Sequence, residues 1–174
     1  MTRPAIAPRH GLVESLRDRV QALSASVVQQ RAEGPVAAGV IEDLRVAAYQ
    51  LAAEDFSGPE SLGAIALAEG CRAEQHRERG ELRRAAGCLH LVGWLRGLLH
   101  DPEVPETGRE LLEVRLELAS VLVELDDVAS AEGPLGEAVD LAAQLERLSA
   151  EDAVLAGLIA RCNALSATVR TSER

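Results

Sequence analysis

Five carboxylates in one stretch, Glu110, Glu113, Glu117, Glu124 and Asp127, are the residues best spaced for chemistry. At about 100° per residue, the first four fall within an arc of roughly 60° on a single helix. Carboxylates that converge can hold Mg²⁺ and the phosphates bound to it, but that requires donors from two helices meeting on one ion. A lone stripe points its oxygens one way, and reads as the solvated edge of a helix that buries its other faces. Cys71 with His76, and Cys88 with His90, offer thiolate and imidazole donors. Zinc sites use tight CxxC or HxxxH pairs, and the sequence contains neither. There is no GxSxG elbow, no phosphate-cradling P-loop and no GxGxxG, and no cysteine has a local activating signature. The expected site therefore has no catalytic residue, metal or cofactor.

The elements that carry these residues read as helices. Leu12, Val13, Leu16, Val20, Leu23 and Val27 share one face of a helix near 11–31. Gly34-Pro35 ends it, and the proline suits the first turn of a second helix over 35–54. Ser57 with Glu60 has capping-box spacing for a third helix from 58 to about Arg79, and a fourth fits 81–99. The segment 100–106 is a loop, and Thr107 with Glu110 forms a second capping box opening a helix to Leu125. Val114 to Leu118 alternates like a strand, but the apolar pattern continuing to Leu125 favours helix. Further helices fit 128–148 and, from Ser149 with Asp152, 150–168, leaving frayed ends at 1–10 and 169–174.

Composition agrees. Alanine and leucine supply 55 of the 174 residues, while Tyr49, Phe56 and Trp94 are the only aromatics. Residues 101–174 hold 16 acidic residues against 6 arginines, whereas 1–100 hold 12 of each. An acidic surface repels phosphate, so nucleic acid and anionic membranes are poor partners. Met1 to Val20 contains no signal-peptide apolar stretch, and three cysteines in apolar helical patterns suit a reducing compartment. The expected location is cytoplasmic. Arg72, Arg77, Arg79, Arg83 and Arg84, interleaved with Glu74, Glu78 and Glu81, read as a salt-bridged helical hairpin.

Two stretches match by their small residues. Ala73, Gly80, Ala85, Leu89 and Val92 align with Ala119, Asp126, Ala131, Leu135 and Ala138 at the same internal spacing. Small residues at the first and third positions let antiparallel helices approach closely, and the turn residue ends the first helix. This spacing resembles the tetratricopeptide repeat, a helix–turn–helix unit that stacks into a solenoid. The resemblance spans 66–99 and 112–145, within a single all-α domain over 11–168. An irregular helical bundle is the alternative. The sequence departs from the family in its 46-residue offset between repeats, in Pro134 inside an expected second helix, and in lacking the usual bulky aromatics. The five carboxylates also resemble the ExxE and ExxD pairs of MazG-like all-α nucleotide pyrophosphohydrolases, which implies a Mg²⁺-dependent hydrolase as the competing function.

The tetratricopeptide resemblance implies a non-catalytic adaptor, chaperone or regulatory module that binds a peptide or partner helix in a concave groove. Carried over by position, that groove includes Leu67, Glu74, Arg77 and Glu78 from one repeat and Glu113, Leu116, Ser120 and Glu124 from the other. The family's carboxylate clamp is missing, since Gly70 and Glu74 occupy its places. The expected partner is a protein or peptide with a basic or apolar-basic surface, with docking of a second copy as an alternative.

Overall fold

In the computed structural model, residues 9–55, 58–148 and 152–172 are described. Among them are seven helices and no strand: α1 (Arg9–Glu33), α2 (Ala38–Glu54), α3 (Pro59–Glu78), α4 (Leu82–Leu99), α5 (Pro105–Glu124), α6 (Val128–Leu148) and α7 (Ala153–Ser172). The all-α class therefore holds, and Val114 to Leu118 is helical. No described helix is long and apolar enough to cross a membrane. Where one domain was expected over 11–168, the chain divides into two compact units, Met1–Cys71 and Arg72–Arg174, with the boundary inside α3.

In the first unit α1 packs along α2. Val20 and Val27 of α1, and Ile41, Leu44, Ala47, Ala48 and Leu51 of α2, are buried. Arg17 on α1 pairs with Glu60 at the start of α3 and lies 3.9 Å from Asp55. Pro35 stays outside α2, contrary to the expected start at 35. Ala37 holds the cap position in an extended conformation, its N–H donating to Gln30 Oε1 at 3.2 Å. Ser57 of the first capping box lies outside the described residues.

In the second unit α5 packs against α4, α6 and α7, and α6 packs against α7. Leu112, Leu116 and Ala119 of α5 join Leu135, Ala138, Leu141 and Leu145 of α6 and Leu155, Leu158 and Cys162 of α7. On its other side α5 sends Leu118, Val121 and Leu122 against Ala85, Ala86 and Leu89 of α4. Leu116 faces α6 and α7 while Leu118 faces α4, so apolar residues two apart are both buried with a charged residue between them, which is why 114–118 imitates a strand.

The two aligned stretches fold alike. Gly80, with φ +72°, and Asp126, with φ +61°, both occupy the left-handed region at the hairpin turns. In each turn the next amide reaches back five residues: Glu81 N–H donates to His76 O at 2.8 Å, and Asp127 N–H to Leu122 O at 2.9 Å. Ala73, Ala85, Leu89 and Val92, like Ala119, Ala131, Leu135 and Ala138, are all buried.

Three local expectations are corrected. Helix α5 begins at Pro105, not Thr107, because proline at its first position lacks the N–H that would go unbonded there. Thr107 instead braces the preceding loop: its hydroxyl donates to Val104 O at 2.9 Å and accepts the Asp101 N–H at 3.0 Å. At α7 the cap is Asp152 itself, whose Oδ1 accepts the N–H groups of Val154 at 2.9 Å and Leu155 at 3.2 Å. Ser149 lies outside the described residues, and α7 continues to Ser172 rather than ending at 168. Pro134 sits inside α6, where it withholds an N–H from the Ser130 carbonyl.

Candidate functional site

Because α5 is buried on two sides, the surface it keeps is a narrow acidic stripe: Glu106, Glu110, Glu113, Glu117 and Glu124. Neighbouring helices answer these carboxylates with separate arginines. Arg96 of α4 contacts Glu110 at 2.6 Å. Arg77 of α3 pairs with Glu124 and lies 3.9 Å from Glu117. Ser120 Oγ donates to Glu124 Oε1 at 3.5 Å. Glu117 is the half-buried member, and burial raises its carboxyl above the ordinary range, with the nearby charge of Glu74 adding to the effect. Glu113 makes no ion pair with any described residue.

The stripe's N-terminal half forms one wall of a cleft of about 260 Å³, lined by Glu106, Arg109, Glu110 and Glu113 from α5 and by Val154 and Leu158 from α7. Arg109 holds the walls together by pairing with Asp152, the α7 cap, and with Glu106 at 2.8 Å. The Asp152 carboxyl lies below its usual range, first because it accepts the Leu155 amide hydrogen, then the Val154 amide hydrogen, with Arg109 alongside. Val154 is 65 % exposed at the cleft rim. The cleft thus joins surplus negative charge to one apolar foothold. It is smaller than the roughly 300–1,000 Å³ of small-molecule sites.

Of the residues expected to line a groove, Glu74, Arg77, Glu117, Ser120 and Glu124 come together on α3 and α5, Glu78 is exposed beside them, and Glu113 lies toward the α7 cleft. Leu116 is corrected: at 1 % exposure it belongs to the core between α5, α6 and α7 and offers no surface. Leu67 is half-buried in the first unit. Sequence reasoning missed the α7 wall. The signal was Val154, an apolar residue two positions after the acidic cap and 65 % exposed.

No group of three or more His, Cys, Asp or Glu among the described residues is placed to hold a metal ion. His76 Nδ1 lies 2.6 Å from Glu81 Oε2, across the α3–α4 turn. Cys71, Cys88 and Cys162 are free thiols. The arginine cluster is only partly a hairpin network: Arg84 pairs with Glu81 at 3.3 Å, while Arg77 turns to α5. Compared with protein-family models, curated proteins and solved structures, the chain has no match in any of the three.

Proposed function

We propose that the second unit is a non-catalytic docking module that receives an apolar-basic segment of a partner protein in the α5–α7 cleft. The observation that carries this reading is the cleft's own chemistry. Four carboxylates, of Glu106, Glu110, Glu113 and Asp152, face two guanidiniums, of Arg96 and Arg109, around an exposed valine. An arginine or lysine of the partner would answer Glu113, and an apolar neighbour would cover Val154. Partly exposed ion pairs contribute about 0–1 kcal/mol each, so the charges chiefly set partner choice and encounter rate. Covering Val154 and the cleft floor supplies the rest, at about 25 cal/mol per Å² of apolar surface.

A tetratricopeptide-like stack is the architecture proposed for this module. Three observations support it: the shared left-handed turn at Gly80 and Asp126, the recurring buried small residues, and the packing of α5 on α7 beside α6. In such a stack the first helix of each hairpin lines one face, as α3, α5 and α7 would here.

The test uses three labelled peptides of equal length, apolar-basic, apolar-acidic and apolar-uncharged, followed by fluorescence anisotropy. The basic peptide should bind best, and more weakly as salt rises. Exchanging Glu106 and Glu113 for arginine should weaken it by about tenfold or more. Equal binding of the acidic peptide, or indifference to the exchange, would refute the reading.

A further inference from the structure

Helix α4 presents one uninterrupted stripe to solvent. Arg83, Gly87, His90, Trp94 and Leu98 recur at steps of three and four residues, and all five are exposed. Trp94 is 51 % exposed and Leu98, one turn later, 53 %. Tryptophan is normally well buried, so a Trp–Leu pair in water is an apolar surface awaiting cover. Gly87 and Gly97 flank it. A Cβ added at either would meet nothing within 4 Å, so the chain's own packing gives no reason for glycine there. Glycine inside a helix costs stability relative to alanine. Close approach of a second backbone is a reason that would offset that cost.

The ends of the stripe carry opposite charge. Arg83 stands at the N-terminal end and makes no ion pair with any described residue, while Arg84 beside it is taken by Glu81. Just past the C-terminal end lies exposed Asp101. A surface with a cation at one end, an anion at the other and an apolar centre complements itself when turned end for end.

We infer that this face is an isologous interface at which α4 of one copy packs antiparallel against α4 of a second copy. With the two-fold axis at the level of residue 92, helical register places Gly87 opposite Gly97 and His90 opposite Trp94, and it brings the Arg83 end of each helix to the Asp101 end of the other. The glycines let the backbones close, the imidazole stacks on the indole, and symmetry makes each contact twice. Glu103 adds a second carboxylate at the C-terminal end, and the charge of Glu81 at the N-terminal end is already answered by Arg84 and His76. A parallel arrangement would bring like charges together at both ends. One helix face is a small interface, so the association is weak and reversible.

Trp94 is the chain's single tryptophan, so its emission reports this surface alone. The full chain is examined by sedimentation velocity and tryptophan emission from low-micromolar to near-millimolar concentration. The expected result is dimerisation accompanied by a blue shift over the same range. Leu98→Arg should leave a monomer with solvent-exposed emission. Arg83→Asp and Asp101→Arg should each weaken association by about tenfold, and the double exchange should restore it. Gly97→Ala should weaken association while melting no lower than the original chain. Circular dichroism confirms that each variant keeps its helix content. A chain monomeric throughout, a dimer indifferent to Leu98→Arg, or a double exchange no tighter than the singles would overturn the inference.

Discussion

Replacing Gly80 by alanine isolates the backbone cost of the α3–α4 turn. A Cβ at this position would meet nothing within 4 Å, so no side-chain clash confuses the result. What remains is φ +72°, a conformation that costs an alanine about 1–2 kcal/mol more than a glycine. Against this, alanine restricts the unfolded chain and recovers about 0.4–1 kcal/mol. The net expectation is a loss of up to about 1.6 kcal/mol, read as a lower urea midpoint with unchanged slope. The matching turn supplies a mirrored arm. Asp126 already bears the strain at φ +61°, so Asp126→Gly should cost nothing or gain up to about 0.5 kcal/mol. If Gly80→Ala were clearly stabilising, the turn would not be left-handed, and the structural equivalence of the two hairpins would fail.

Pro134→Ala returns a donor to the Ser130 carbonyl inside α6. It should stabilise by about 1–2 kcal/mol, and the new amide at position 134 should be protected from hydrogen exchange; a loss of stability would mean that the helix begins at the proline. Asp152 is held below its ordinary value, so its contribution is complete above the usual aspartate range and is lost as pH falls through the depressed value. Asp152→Asn should therefore flatten the acid limb of the stability profile, measured by urea titrations at successive pH. Leu118, with no exposed surface, should cost about 2–5 kcal/mol on truncation to alanine, whereas a change at exposed Leu98 should stay within about 0.5 kcal/mol in the monomer. Urea midpoints of the two variants decide that comparison.

Helix positions were legible because apolar periodicity is local: α6 matches its expected bounds, and α3 and α4 differ by a residue or so. The ends were less so, since proline and hydroxyl residues have several local uses. Pro105 supplied the start that Thr107 was expected to supply, and Pro35 stayed in the turn. The repeat alignment was legible through its spacing alone, even though glycine and aspartate fill the shared turn. Leu116 was misplaced because position in a repeat does not tell which neighbours cover a side chain; a seventh helix supplied them. The α5–α7 cleft was not legible because it depends on where α7 lands, a matter of long-range packing and of one arginine, Arg109, reaching a cap 43 residues away.

Residue-resolved NMR of the isotope-labelled chain, titrated with the apolar-basic peptide, tests the docking cleft most directly. The account predicts saturable, salt-sensitive shifts at Glu106, Glu110 and Glu113 on α5 and at Val154 and Leu158 on α7, with the α4 stripe unmoved. Shifts confined to other surfaces, or none at peptide concentrations that saturate the anisotropy signal, would contradict it.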